Sequence, residues 1–379
     1  HLREIDHFVF GAARPADRPL DALIAGGGTG DCTIMLAQQM ARANRPGRVT
    51  WLDRSAAAER IARERAAARG LTNVAWERRS LLDLPGSGLG PFDYVDCCGV
   101  LHHLPDPAAG LRALVSVLAP GGGIGLMVYA PHGRTGIYMV QDALRLLAPP
   151  EEAPPARLDV ARRVLRHLPE TNWFRRNGYF QDHITGGDAG MYDLLLNPRD
   201  RAYTVPALAA LLATAGLEPT AWIEPLRYDP RPMLPDPRLR ARIDTLAPLD
   251  RAALAEALAG NMYMHVLYCR RIGEPAPRPD PLAPDAVPIA REMPGPELAR
   301  AIQGGVLTMT MDGLRMPVPL PPLAPAILTL IDGTRPVGAI AEVMAANGTP
   351  APAFARAWTE TFAALEAANR VLLAPPRAG

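Results

Sequence analysis

The stretch Leu23-Ile24-Ala25-Gly26-Gly27-Gly28-Thr29-Gly30-Asp31 limits what this chain of 379 residues can fold into more than any other. An apolar run gives way to glycines, and a helical pattern follows from Cys32 to Met40. That order reads as strand, tight turn, helix, the opening unit of a parallel α/β sheet. Glycines at the turn let the backbone take positive φ and let a ligand approach the main chain. A phosphate-cradling P-loop needs a Lys after its last glycine, where Asp31 stands. The dinucleotide fingerprint G-x-G-x-x-G fails at the same residue, which disfavours a nicotinamide-dependent oxidoreductase. What remains is the spacing G-x-G-x-G on Gly26, Gly28 and Gly30.

The next segment returns to that turn. Arg45-Pro46-Gly47-Arg48 leads into a second strand, Val49 to Leu52, ending at Asp53. A helix of about 12 residues carries the chain roughly 18 Å away from the glycines. A strand of about five residues brings it roughly 16 Å back. Asp53 is therefore expected at the carboxyl edge of the sheet, where a carboxylate can accept ribose hydroxyls. Ser55 is the better cap for the following helix, which Gly70 closes. Third and fourth strands are expected at Val74–Glu77 and Phe92–Cys98, and a fifth at Ile124–Tyr129. Sixth and seventh strands are expected at Thr220–Glu224 and Met262–Cys269.

Three phrases follow in order: F-D-Y-V from Phe92, G-V-L-H-H-L-P-D-P from Gly99, and L-A-P-G-G-G from Leu118. With the glycine spacing and Asp53, residues 20–130 resemble the class I S-adenosylmethionine (SAM) methyltransferases. The resemblance implies an α/β fold, a doubly wound, mostly parallel seven-stranded Rossmann-like sheet, with SAM as cofactor. It places Gly26, Gly27, Gly28 and Gly30 around the methionine portion and Asp53, beside Arg54, on the ribose. Ser80, Leu81 and Leu82 fall at the adenine, and Cys98 and Gly99 on the methyl side. Two positions depart from the family pattern. Ser80 stands where an acidic residue usually faces the adenine, with Asp83 three residues on. Ile24 stands where an acidic residue usually precedes the glycines. A non-catalytic SAM- or peptide-binding scaffold is the competing reading, and Ile24 favours it.

Methyl transfer asks mainly for alignment, with a base only where the acceptor is protonated. Candidate acceptor-side groups are His102, His103, Tyr129, Arg134, Tyr138 and His183. If strand geometry persists past Gly99, His102 and His103 point to opposite faces. Residues 131–203 interrupt the alternation and read as a substrate lid over the carboxyl edge.

Domain boundaries follow from composition. Residues 1–19 read as a polar lead-in, 20–272 as the methyltransferase domain, 273–295 as a Pro-rich linker and 296–379 as a second unit. The phrase Ile331-Asp332-Gly333-Thr334-Arg335-Pro336 resembles small winged-helix modules, including peptide-binding ones. That unit has six Arg against six Asp and Glu, with no His or Cys, so it reads as a separable recruiting module rather than a reactive or nucleic-acid-binding one. The whole chain has a net charge of +1 and no Lys, which excludes Schiff-base chemistry and gives no case for nucleic acid or an anionic membrane. Cys32, Cys97, Cys98 and Cys269 show no C-x-x-C spacing, so no metal is expected. Without a signal-like or membrane-length apolar run, the reading is a cytoplasmic protein. Its expected partner is a small-molecule or peptide/protein methyl acceptor, and self-association into a homo-oligomer is left open.

Overall fold

The computed structural model describes residues 1–178, 181–275 and 277–376, the side chain of Asp182 apart. Its centre is a seven-stranded sheet in the order β3-β2-β1-β4-β5-β7-β6. The strands are β1 (Leu20–Ala25), β2 (Gly47–Asp53), β3 (Val74–Arg78), β4 (Phe92–Cys98), β5 (Leu118–Tyr129), β6 (Leu217–Ile223) and β7 (Met264–Arg271). The first five run parallel, and β7 lies antiparallel between β5 and β6. Parallel strands covered by helices on both sides are buried on both faces, which explains the near-continuous apolar runs of β1 and β4. β1 pairs with β2 on one side and β4 on the other, so the winding direction reverses there. The crevice at such a switch point is where open α/β sheets bind ligands.

Several boundaries differ from those expected. β5 starts at Leu118, because Ala119–Gly123 continues as strand rather than turning into one. β6 begins at Leu217 and β7 at Met264. The lead-in is not polar packing. Leu2–Glu4 forms a helix that widens over Ile5–Val9, and Leu2, Ile5, Val9 and Phe10 are buried with Leu20, Ile24, Leu36, Tyr94 and Tyr268. The spacing of Leu2, Ile5 and Val9 is a helical stripe, hidden among charged neighbours.

Residues 131–203 carry helices at Thr135–Leu147 and Pro154–His167 and a series of short turns ending at Tyr192–Leu196. They enclose their own core of Ile137, Val140, Leu144, Leu158, Phe174 and Leu194–Leu196. The returning chain is sewn to the sheet edge: Tyr203 N donates to Tyr129 O at 2.8 Å, and Arg201 N to His102 O at 3.3 Å.

The C-terminal unit is α+β, but it begins earlier than composition suggests. Pro288–Ala290, inside the Pro-rich stretch, pairs antiparallel with Val371–Leu373. A hairpin of Val306–Met311 and Leu314–Pro319 precedes helices at Ala324–Thr329, Val337–Ala346 and Ala351–Ala367. The Pro-rich segment does not hold two cores apart. It lies on this unit, with Val337 N donating to Ala286 O at 2.8 Å and the Trp358 indole N–H to Pro281 O. The unit is also fastened to the first residues of the chain. Leu373 N donates to His7 Nδ1 at 3.1 Å, which leaves the proton on Nε2 to donate to Glu366 at 2.8 Å. Glu4 accepts from Arg291 and Asn369, each at 2.8 Å.

Candidate active site

The glycine turn hangs on the end of β2. Gly26 N and Gly27 N both donate to Leu52 O, at 2.8 and 2.9 Å. Gly27 is required by close approach, since a Cβ there would lie 2.2 Å from Cδ1 of Trp51. The same indole donates through Nε1 to Gly28 O at 3.0 Å. Gly28 is different: its φ is +47°, and a Cβ would meet nothing nearer than 4.0 Å. The space in front of it is open, and φ at Gly26 and Gly30 is also positive. A ligand can therefore lie against main chain here without displacing a side chain.

Asp53 reaches the turn as its position predicts, and in the free protein its carboxylate is the strut of the turn. Oδ2 accepts from Gly28 N and Oδ1 from Ser55 N, both at 2.9 Å. Two N–H bonds leave about half of a carboxylate's acceptor positions open, so the group still fits ribose hydroxyls. Ser55 caps the next helix through Ala58 N at 3.1 Å. Arg54 is exposed. Beyond β3, Ser80 and Asp83 are occupied with each other's backbone: Ser80 Oγ accepts from Leu82 N and Asp83 from Ser80 N, both at 3.2 Å. Leu81 is buried and Leu82 is 44 % exposed, an apolar ledge on which a flat base can rest. Cys98 is exposed at the end of β4, and Gly99 turns there with φ +78°.

The histidine pair departs from expectation. Leu101–His103 is a 3-10 turn rather than strand, so the two rings are neighbours, edge to face with centroids 4.2 Å apart. His102 lies on the ring of Tyr129 at 3.9 Å, and His103 Nδ1 donates to Arg199 O at 2.6 Å. His102 is 1 % exposed, yet among the described residues neither ring nitrogen has a hydrogen-bond partner. Burial, then His103, then Arg134 pull its pKa down to about 3, so it is a neutral imidazole at physiological pH. Val100, two residues before it, is in contact range of Gly26, which joins this wall to the cofactor turn.

Arg134 does not project into a cleft. It is buried, its Nη2 is 2.6 Å from Asp200, and its Nε donates to Tyr138 OH at 3.1 Å. Its guanidinium lies 3.6 Å over the Tyr129 ring. Tyr138 donates to Asp200 at 3.3 Å, and Gln141 donates to Asp200 at 2.8 Å. Burial opposes the charge on Arg134, but Asp200, Tyr138 and Tyr129 together outweigh it and raise its pKa. Burial pushes the Tyr138 phenol up. Sequence reasoning missed Asp200 and Gln141 as members of this group, and a separation of 66 residues between Arg134 and Asp200 gives no local signal. His183 lies against Phe174 at 4.9 Å, in the lid.

A family model described as "Methyltransferase domain" matches residues 23–124. An uncharacterized protein of Synechococcus sp. is 34% identical over 259 residues, covering 66% of this chain and 60% of that protein. The ubiquinone biosynthesis O-methyltransferase of Xanthomonas campestris pv. campestris is 33% identical over 118 residues, 31% of this chain and 45% of the relative. The chain thus spans less than two thirds of either relative. Among solved structures, PKMT2 from Rickettsia typhi in complex with AdoHcy superposes with a TM-score of 0.70 at 14% identity, over 98% of this chain and 75% of that one. That likeness is one of fold, and it takes in the lid and the C-terminal unit. Glycine turn, strand order and family match agree: residues 23–124 belong to a methyltransferase domain of the class I S-adenosylmethionine-dependent kind.

Proposed function

We propose that the whole chain methylates an oxygen, nitrogen or carbon nucleophile of a small molecule or of a peptide or protein, held beneath the lid between the glycine turn and the Tyr129 wall. SAM, when bound, supplies a methyl group activated by its sulfonium and open to in-line displacement. Gly26–Gly30, Asp53 and the Leu81–Leu82 ledge hold it, and Cys98 and Gly99 flank the transfer side. The observation that carries the acceptor side is His102. A buried imidazole with two unsatisfied nitrogens costs about 1–3 kcal/mol, and such a group calls for a ligand that satisfies it. Held neutral, it accepts a hydrogen bond or a proton from an acceptor's N–H or O–H without adding charge. Tyr129, His103 and Tyr138 complete the wall around it. Arg134 acts through Asp200, as the clamp that fixes that wall.

The ubiquinone relative matches this chain over 31% of its length, so its name bears on the donor half. PKMT2 shares the fold of the whole chain, and its resemblance extends to the unit we assign to recruiting or orienting the acceptor. The test is transfer of tritiated methyl from SAM by the full chain to fractionated cell extract. Label that precipitates with polypeptide identifies a protein acceptor, and label in the ultrafiltrate identifies a small molecule. Failure to label either fraction, with SAM bound, sinks the proposal.

A further inference from the structure

The carboxylate that the glycine motif lacks stands on the neighbouring strand. Ile24 occupies the position two residues before Gly26, and it is a core residue, 2 % exposed. In the parallel register between β1 and β4, the residue directly beside Ile24 is Asp96. Neighbours in a parallel pair share a face of the sheet, and Asp96 lies at the same carboxyl edge. It is 1 % exposed and is the one acidic residue of β4 buried there; Asp93, nearer the strand start, is half-buried.

The surroundings of Asp96 suit a cation. Its Oδ2 accepts from Tyr94 OH at 2.8 Å and from His1 Nε2 at 3.2 Å. Burial opposes the charge on His1, but Asp96 raises its pKa, so this oxygen already holds one cationic partner. Burial alone would raise its pKa, but bonds from His1, Tyr94 and Cys98 outweigh that and keep it ionised. The remaining neighbours are the thiols of Cys32 and Cys98. Cys32 belongs to the first turn of the helix that follows Gly30, and Cys98 is two residues along the same face of β4, exposed at the strand end. The carboxylate thus lies between β1 and the first turn of the helix that follows the glycines. A carboxylate offers about four acceptor positions, and thiols are weak donors to fill them.

We propose that Asp96, standing on β4 directly beside Ile24 of β1, is the carboxylate that receives the α-ammonium group of SAM. The proposal rests on the assignment of SAM as cofactor and adds a positioning residue for its amino-acid end.

The test is calorimetry on the full chain with two ligands, S-adenosylhomocysteine and 5′-methylthioadenosine, which lacks the amino-acid portion. Loss of a charge-assisted bond predicts that Asp96→Asn weakens S-adenosylhomocysteine about 10- to 100-fold. Binding of 5′-methylthioadenosine stays within about twofold by the same reasoning, because nothing it touches has changed. Equal weakening of both ligands overturns the proposal, as does unchanged affinity for both. Tight zinc binding that Asp96→Asn abolishes, with S-adenosylhomocysteine affinity unchanged, overturns it too, since His1, Cys32 and Asp96 bring donor atoms within 4.8 Å of one another. If Asp96→Asn fails to fold, the unaltered protein decides: removing the amino group from S-adenosylhomocysteine must cost about tenfold or more, and no loss overturns the proposal. Binding of neither ligand to the unaltered protein would instead refute the cofactor assignment itself.

Discussion

The glycine turn and the wall around Tyr129 are built from different materials. The turn is main chain: Gly26, Gly27 and Gly28 are fixed by Leu52 O, the Trp51 indole and Asp53, all at the end of β2. The wall is side chain: His102 on Tyr129, and Arg134 on the other neighbourhood of Tyr129, locked to Asp200. A backbone site is specified by a few residues close in sequence and tolerates change around it. A wall made of buried charge depends on partners arriving from distant segments. The two should therefore fail separately.

The largest effect is expected from the clamp. Arg134→Ala leaves Asp200 buried without its ion-pair partner, with only Tyr138 and Gln141 still donating to it, which costs about 3 kcal/mol. Thermal melts should show the loss and limited proteolysis should cut within residues 131–203, while SAM still binds. Loss of SAM binding in a variant whose sheet remains folded would break the separation of turn from wall.

Acid is the next probe of the wall. His102 is depressed from 6.5 to about 3, so the unfolded chain takes up the proton first as pH falls. The stability this residue confers is present above about pH 6.5 and is lost as pH falls towards 3. Between pH 7.5 and 4.5, wild type should lose roughly 2–3 kcal/mol relative to His102→Phe, by urea unfolding at each pH. A gap that does not change with pH would mean His102 is accessible to solvent protons in the fold.

The turn responds to the opposite set of changes. Asp53→Ala removes the acceptor of Gly28 N and Ser55 N together with the ribose acceptor. SAM affinity should fall roughly 10- to 100-fold, with the lid resistant to protease. An unchanged dissociation constant would reduce Asp53 to a strut.

The smallest effect should come from Gly28→Ala. Its left-handed φ costs an L-residue about 1–2 kcal/mol, but the new methyl meets no neighbour in the free protein. Gly27→Ala drives a methyl into Trp51 and should be the more damaging of the two in a thermal melt. The reverse order would show that the turn is held by something other than the indole.

This contrast also explains what could be read in the sequence. Seven strands, the glycine turn, Asp53 and the cap at Ser55 follow from local pattern, because each depends on spacing within about one βα unit. The neighbouring rings of His102 and His103 did not follow, because a 3-10 turn replaced the strand geometry on which their separation depended. The pairing of Arg134 with Asp200 was illegible for a different reason: an ion pair across the lid leaves no periodicity in either segment. The helical stripe of Leu2, Ile5 and Val9 was hidden by charged neighbours, which make the segment look like a surface lead-in. The Pro-rich stretch misled by composition, since prolines at 281 and 284 lie against the unit they were expected to space away.

The strand order carries a consequence for synthesis. The edge of β5 left free by β4 is covered by β7, and β6 hydrogen-bonds only to β7 within the sheet. In a chain emerging from the ribosome, β5 is complete at Tyr129, but β7 begins well over a hundred residues later, at Met264. At ~5–20 residues per second, that apolar edge waits roughly ten seconds or more for its partner. An unpaired apolar edge is a template for wrong pairing. The segment 131–203, made in that interval, is tied to the last residue of β5 where Tyr203 N donates to Tyr129 O. That bond can form before β7 exists, because Tyr203 precedes Met264 in the chain.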